Sequence, residues 1–350
     1  MSPGSPSLPR VSVIIPHYNG REILLRCLEG LSRDDYPALE IIVVDNASTD
    51  GSAAAAKERF PGIRVVSSDR NLGFAGGCNL GMESAAGDYF VLLNNDAVVS
   101  SGWLEPLVRR AEEDRTIAAL QPKILSISNE GAFDYAGAAG GFMDVFGYPF
   151  ARGRIFFTLE TDEGQYETGS EIFWASGTCT LIRKTAVEKV GYLDETFFAH
   201  MEEIDLDWRF HLAGFNVRYV PESVVRHDAG TTLAPGSSRK IYLNHRNGLI
   251  MLLKNYSAGR LAWVLPIRFC LEFVAATYFL LKGDAVQTKA ILSAMGGVLS
   301  EMKYIREARR RTQSVRVVSD RDVDGRMYRG SIVWQYFVLG RKTFRRIFRG

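Results

Sequence analysis

An apolar run over residues 91–99, VLLNNDAVV, stops abruptly at Asn94, Asn95 and Asp96. A strand that ends in Asp and Asn presents hard oxygen donors at the carboxyl edge of an α/β sheet, where open sheets of this kind hold their ligands. Asp96 is therefore a candidate metal ligand, weighed against a plain turn that caps the following helix. A second acidic group, Glu202, Glu203, Asp205 and Asp207, falls within six residues. Carboxylates this close repel one another, so that some are held protonated or paired near neutral pH. The plainer reading is an acidic helix start favoured by the macrodipole. A third feature is the pair of turns 16–20 (PHYNG) and 45–52 (DNASTDGS). On one edge of a parallel sheet, Tyr18 would stack on a ring while Asp45 accepts hydrogen bonds from its edge, a combination that fits a nucleobase better than a phosphate. Helix capping by Ser48 or Asp50 explains part of the second turn but leaves Asp45 over. Neither GxxxxGK[ST] nor GxGxxG after a strand occurs, so an ATP-cradling loop and a dinucleotide fingerprint are both absent.

The elements that must position these residues follow from periodicity. Residues 11–16 (VSVIIP) form a continuous apolar, β-branched run, as in a strand buried on both faces. Ile23, Leu24, Cys27, Leu28 and Leu31 then recur at helical spacing. The alternation continues with strands at 40–44, 63–67, 89–93 and 117–120 and helices at 52–60, 74–85 and 103–113. Such alternation predicts parallel βαβ units with function at the strand carboxyl ends. Periodicity is lost from 126 to 170, a stretch rich in Gly, aromatic and acidic residues that predicts a functional lid or binding surface, or else disorder. Order returns at 172–182, in a helix at 204–213 ended by Gly214, in a strand at 217–220 and in a helix at 242–255. Residues 261–281 are apolar but include Pro266, Arg268 and Glu272; the two charges stand four apart, which predicts an interfacial or core helix rather than a span.

Charge is unevenly spread. The formal net charge is +2, yet residues from 300 onward carry 14 Lys+Arg against 5 Asp+Glu, and the rest of the chain 28 against 35. The segment 331–350 combines Arg341, Lys342, Arg345, Arg346 and Arg349 with Phe337, Phe344, Ile347 and Phe348, a basic amphipathic pattern suited to an anionic membrane surface. The other reading is a solvated charged tail. No nucleic-acid motif accompanies it, so nucleic acid is not expected as a partner. Cys27, Cys78, Cys179 and Cys270 are scattered with no metal spacing and read as buried thiols of a reducing compartment. Residues 1–9 read as a short disordered lead without a signal peptide's apolar core, and the body is expected in the cytosol.

The runs VSVIIPHYNG, IIVVDNASTDGS, NLGFAGGCNLG and VLLNNDAVV, in this order and at these spacings, resemble the inverting family-2 glycosyltransferases of GT-A fold, particularly their bacterial rhamnosyltransferase-like branch. The resemblance covers about residues 10–255. It implies an α/β fold: a Rossmann-like mixed, mainly parallel sheet flanked by helices, with a helical, basic C-terminal extension over 256–350. A nucleotide-sugar half (10–125) and an acceptor half (126–255) would make up the transferase. The resemblance carries nucleotide-sugar contacts to Pro16, Tyr18, Asn19, Asp45, Asn46, Asn71, Gly76, Asn79, Asn95 and Asp96, and acceptor contacts to Trp174, Ser176 and Gly177. Asn94-Asn95-Asp96 stands at the family's DxD motif with Asn94 in place of the first acid, which leaves Asp96 as the only carboxylate there. The run FFAHMEEIDLDWR resembles the family's acidic motif, with Glu203 where an Asp general base is usual and Glu202 and Asp205 orienting it. His227 matches a metal-ligating His, with His200 as runner-up. Asp96 and His227, with two diphosphate oxygens, would suit Mn2+ or Mg2+.

The activity implied is an inverting transfer of rhamnose or another hexose from a dTDP- or UDP-sugar to a hydroxyl of a lipid-linked or cell-surface glycan, at the inner face of the cytoplasmic membrane. The oligomeric state, a dimer included, stays open. Two rivals are weaker. A nucleotidyltransferase should show a Gly-rich basic loop after its first strand, where this chain offers only Arg21. A non-catalytic glycan-binding relative should have lost the acids, and Asp96, Glu202 and Glu203 are all present.

Overall fold

The computed structural model describes residues 8–228 and 237–348. Residues 1–7, which carry most of the expected lead, and Arg349 of the basic tail lie outside the described residues. In the first half, strands β1 (Val11–His17), β2 (Leu39–Asp45), β3 (Arg64–Ser67) and β4 (Tyr89–Leu93) alternate with helices α1 (Arg21–Leu31), α2 (Ser52–Arg59) and α3 (Gly73–Ser84). They are followed by β5 (Ala97–Val99), α4 (Leu104–Glu113) and β6 (Ile117–Ser126). Helix α4 shows the local logic: Leu104, Leu107, Val108 and Ala111 fall on one face and are all buried.

The stretch 126–170 is ordered by its own small antiparallel sheet, β7 (Gly141–Met143), β8 (Pro149–Ala151), β9 (Arg154–Ile155) and β10 (Thr158–Leu159). Strands of two or three residues are too short for a period of two to show in sequence. Next come β11 (Ser170–Ile172), β12 (Cys179–Arg183), α5 (Lys184–Val190), α6 (Glu202–Leu212) and β13 (Asn216–His227). The run read as continuous order over 172–182 is thus two strands. β11 is an edge strand on β13, while β12 lies between β4 and β6. The turn between them crosses the sheet.

Among the described residues the main sheet has nine strands, in the order β11-β13-β6-β12-β4-β1-β2-β3 with β5 also on β13. Pairings β1–β2, β1–β4, β2–β3 and β13–β6 are parallel; β12, β11 and β5 pair antiparallel. Alternate residues serve opposite faces. Ile14, Val44, Leu92 and Ile182 belong to one hydrophobic cluster, whereas Val13, Ile15, Val43, Val91 and Leu181 belong to another. Burial on both faces is why these strands read as unbroken apolar runs. Each such side chain contributes about 1.5–3 kcal/mol through its removal from water.

The C-terminal helices are α7 (Ser238–Asn255), α8 (Ala258–Leu281), α9 (Ala285–Ser300), α10 (Met302–Ser314), α11 (Asp320–Asp324) and α12 (Phe344–Ile347). Val264, Val298, Ile305, Val323 and Met327 pack in the same cluster as Trp208 of α6 and Phe173. The tail is tied to the small sheet: Phe344 lies 5.1 Å from Phe142 and Phe348 5.7 Å from Phe150, ring centre to ring centre. With Ile347, which packs on the same cluster as Phe150, three apolar residues of the basic amphipathic segment are engaged within the protein, while Phe337 stays exposed.

Candidate active site

The carboxyl ends of the central strands converge. His227, the last residue of β13, pairs in register with Ala97 of β5, which sets its ring beside the turn that follows β4. His227 Nε2 lies 2.9 Å from Asp96 Oδ1 and Nδ1 lies 2.9 Å from Asp134 Oδ1; Asn94 Nδ2 is 3.3 Å from Nε2. All three ionisable side chains are buried. Burial alone would lower the imidazole's pKa, but hydrogen bonds to Asp134 and Asp96 and the charges of both acids overcome it and raise the group to about 9. Asp96 and His227 are thus brought together as the sequence predicts. Asp134, which holds the far side of the ring, is a residue the sequence reading missed; it sits in the aperiodic stretch, and no spacing announces it.

The neighbouring part of the same sheet edge is built from the loops after β1 and β2. Tyr18 is 51% exposed, and Asp45 is half-buried with Oδ1 accepting from Ser48 N at 2.9 Å. Asn19 joins the two loops: its Oδ1 accepts from Thr49 N at 2.9 Å. Asp50 serves both helix starts: it accepts from Gly20 N at 2.7 Å and Arg21 N at 3.1 Å at α1, and from Ser52 N at 3.1 Å at α2. A small burial cost is outweighed by these bonds and those from Ser52, which hold its carboxyl at about 2. His17 is buried between Asn95 Nδ2 and Ser52 Oγ, each at 2.8 Å. Because the Asn95 amide nitrogen donates, His17 carries its proton on Nε2. Burial lowers its pKa, so the ring is a neutral strut that fixes Asn95.

The acids of α6 separate by helical period. Glu203 and Asp207, four apart, face the turn between β11 and β12. Gly177 N hydrogen-bonds Glu203, and Ala175 N donates to Asp207 Oδ2 at 2.6 Å. Burial pushes Glu203 up, and backbone amides, Gly177 among them, pull it back to about 6. Glu202 is 3% exposed, and burial together with the neighbouring Glu203 charge raises it well above the ordinary carboxylate range. Glu202 Oε2 and Glu203 Oε2 are buried atoms without a hydrogen-bond partner among the described residues. Asp205 points the other way and is saturated: Arg209 Nε at 3.1 Å, Lys254 Nζ at 2.9 Å and Asn255 Nδ2 at 2.8 Å. It is fully buried with no lone pair turned to the site.

The loop before α6 is strained. Phe198, His200 and Met201 all have positive φ, of 61°, 70° and 74°. Asn247 of α7 clamps it, its Nδ2 reaching the carbonyls of Phe197, Ala199 and His200 at 3.0, 3.1 and 2.8 Å, while Arg246 donates to Thr196 O at 2.9 Å. Phe198 O in turn accepts from Phe74 N at 2.8 Å, so the start of α3 and the acidic loop are one unit. Gly73 permits this approach: φ is +72° and a Cβ would meet Phe198 O at 2.4 Å. His200 stays away from the Asp96–His227 pair in hydrogen bonding, and burial lowers its pKa to about 4.

Several expected contact residues turn out to brace the scaffold. Asn79 clamps α3 to the 193–195 loop, with Oδ1 accepting from Leu193 N at 3.1 Å and Nδ2 donating to Leu193 O at 2.9 Å. Asn46 donates to Gly73 O at 3.2 Å, Asn71 Oδ1 accepts from Gly73 N at 2.9 Å, and Gly76 packs inside α3 against Leu72. Pro16 is half-buried within β1 opposite Val44. Trp174 is buried with Nε1 donating to Phe142 O at 2.8 Å, and Ser176 Oγ donates to Ala136 O at 2.8 Å. Gly177 alone of that trio touches an acid. The same turn reaches the Asn94–Asp96 turn, since Asn94 N donates to Thr178 O at 2.9 Å.

Residues 12–191 match the family described as Glycosyl transferase family 2. N-acetylglucosaminyl-diphospho-decaprenol L-rhamnosyltransferase of Mycobacterium tuberculosis (strain ATCC 25618 / H37Rv) is 29% identical over 280 residues, 76% of this chain and 89% of that enzyme. GalNAc-T7, solved with UDP, GalNAc and Mn2+, aligns at a TM-score of 0.57 and 20% identity over 71% of this chain and 49% of its own. The mannosyltransferase PcManGT of Pyrobaculum calidifontis, solved with GDP-Man and Mn2+, aligns at 0.50 and 18% identity over 89% and 86%. The fold shared with these structures is the GT-A arrangement, and the chain is a glycosyltransferase that belongs to glycosyl transferase family 2.

Proposed function

We propose that this enzyme transfers rhamnose or another hexose, with inversion, from a dTDP- or UDP-sugar to a hydroxyl of a lipid-linked or cell-surface glycan. The observation that carries the proposal is the turn at Gly177 and Thr178, which hydrogen-bonds Glu203 on one side and the Asn94–Asp96 turn on the other. A carboxyl raised to about 6 and the buried His227–Asp96 pair are thereby held on either side of one turn. Glu203 takes the proton of the acceptor hydroxyl as its oxygen bonds to the anomeric carbon, and the bond from that carbon to the diphosphate oxygen breaks on the opposite face. Burial beside Glu203 favours the neutral form of Glu202, which adds no second negative charge. Tyr18 and Asp45 hold the base of the donor.

The donor set fits a divalent cation. His227 Nε2 and Asp96 Oδ1 are buried and face each other; a cation there would displace the proton that the two share, and Asp134 on Nδ1 is the carboxylate that commonly orients a metal-bound histidine. Mn2+ or Mg2+ bound there would neutralise charge developing on the leaving diphosphate. Two protein ligands leave the coordination sphere for the diphosphate to complete, so metal and donor should bind together. Asp134→Asn is expected to weaken Mn2+-supported donor binding by roughly 10–100-fold without a comparable effect on metal-free binding. Titration of the sugar nucleotide with and without Mn2+ reads this directly.

The relative from M. tuberculosis, named as an L-rhamnosyltransferase for an N-acetylglucosaminyl-diphospho-decaprenol, supports the lipid-linked class; action at the cytoplasmic leaflet is part of the same proposal. The deciding experiment is calorimetry with UDP-, dTDP- and GDP-sugars, with and without Mn2+, on wild type and Asp96→Asn. One sugar nucleotide should bind with metal and lose that dependence in the variant. Metal-independent binding that is unchanged in Asp96→Asn would overturn the assignment.

A further inference from the structure

Helix α8 wears its apolar side outward. Its buried stripe is Val264, Arg268, Glu272 and Ala276, while Trp263, Ile267, Phe273, Val274, Tyr278 and Leu281 are exposed. Phe273 is 55%, Val274 65% and Leu281 83% exposed. The exposed stripe runs about 27 Å along the helix at a rise of ~1.5 Å per residue. Val286, Leu292 and Leu299 extend it on α9. Single exposed apolar residues need no explanation, but a contiguous face of this size marks an interaction surface.

By length and apolarity α8 is the one helix among the described residues that could cross a bilayer. Its charged pair forbids encirclement by lipid. Arg268 Nε bonds Glu272 at 2.7 Å and its Nη1 donates to the carbonyls of Phe146 and Gly147, while Glu272 also pairs with His245 of α7. One flank is thus locked to the protein, and the other is free to lie in an interface.

The rim of this face is basic. Lys282 and Lys289 are exposed, whereas Asp284 is occupied capping Gln287 N. A cavity of about 300 Å³ opens at the N-terminal end of α8, lined by Arg260 and Trp263 together with Arg321, Asp324 and Arg329. Asp324 pairs with Arg260 at 2.8 Å, which leaves two exposed guanidiniums. Arg329 leads into the tail, which exposes Trp334 and Phe337 and carries Arg341, Lys342, Arg345 and Arg346 with no acid after Asp324. A second copy of the chain docked on this face would set basic residues against basic residues. An anionic lipid surface complements both the charge and the apolar face.

We infer that α8 and α9 lie flat in the interface of an anionic bilayer, with a lipid phosphate held in the cavity beside Trp263 by Arg321 and Arg329. This deepens, and rests on, the proposed action at the cytoplasmic leaflet. Flotation of the full chain with phosphatidylcholine vesicles, with and without 30 mol% phosphatidylglycerol, tests it. Wild type should float with the anionic vesicles. Phe273→Ser/Val274→Ser should weaken this by roughly tenfold or more, and Arg321→Gln/Arg329→Gln by roughly 30-fold, at about 1 kcal/mol per charge. All four side chains are exposed, so melting curves should match wild type. No flotation would overturn the proposal, as would a dimer in sedimentation velocity that Phe273→Ser/Val274→Ser dissolves. Equal flotation with neutral vesicles would overturn the arginine site. Sugar-nucleotide binding to the same variants, measured without vesicles, should be unchanged; its absence in wild type would instead count against the proposed donor chemistry.

Discussion

Glu203→Gln is expected to lower kcat by roughly 10²–10⁴, the usual contribution of a positioned general base, while donor affinity changes by less than about threefold. The amide keeps the shape and the hydrogen bond from Gly177 but cannot take a proton. The pH profile of the wild type gives an independent reading. A base works when ionised, so activity should rise with pH through an inflection near 6, where burial places this carboxyl, rather than near 4.5, where an ordinary glutamate titrates. The inflection should vanish in Glu203→Gln. Glu202→Gln provides the contrast: burial and the Glu203 charge favour the protonated form of Glu202, so the neutral amide should cost far less. A Glu203→Gln enzyme within tenfold of wild type, or a Glu202→Gln enzyme equally crippled, would remove Glu203 from the role assigned to it.

The assignment of roles among these acids shows where sequence ends and structure begins. In sequence, four carboxylates within six residues are equivalent; on a helix they split. Glu203 and Asp207 face the Ala175–Gly177 backbone, while Asp205 pairs with Arg209 one turn on and with Lys254 of α7. The decisive partner lies 49 residues away, which no local pattern reveals. The same holds for Asp134 and His227, which are separated by 93 residues and meet only because β13 runs beside β5 and β6. By contrast the strands that carry His17, Asp45 and Asp96 were legible. Their apolar runs are long, both faces are buried, and each ends in a polar turn on the same sheet edge. The aperiodic stretch was read as a surface without regular structure. Its short strands draw their stability from rings such as Phe344 and Phe348, nearly two hundred residues on, so local periodicity carried no trace of them. The tail's basic, aromatic pattern likewise could not say which rings face inward.

Lys254→Met should destabilise the protein by about 3 kcal/mol, the lower end of the cost of stripping one partner from a buried ion pair. Lys254 is 3% exposed, and its ammonium joins Asp205 Oδ2 at 2.9 Å to Asp194. Methionine fills similar space, so packing is largely kept and the loss reports the charge. Arg209 remains on Asp205, which argues for the lower figure, but Asp194 keeps only neutral partners, the Thr196 amide and hydroxyl and the Tyr304 hydroxyl. Burial would raise the Asp194 carboxyl; Lys254 outweighs it and holds the group at about 2, below its ordinary 3.8. A depressed carboxylate stabilises the fold fully above 3.8, and that contribution is lost as pH falls toward 2. In Lys254→Met the carboxyl should titrate higher, so acid unfolding should begin at higher pH than in wild type. Denaturant titrations at pH 7 and pH 4 read both effects. A loss under about 1 kcal/mol, with unchanged acid sensitivity, would mean that the pair specifies geometry rather than stability. That outcome would still show in turnover, because Asp205 anchors the helix bearing Glu203, and Asp194 begins the segment that leads into the strained loop before it.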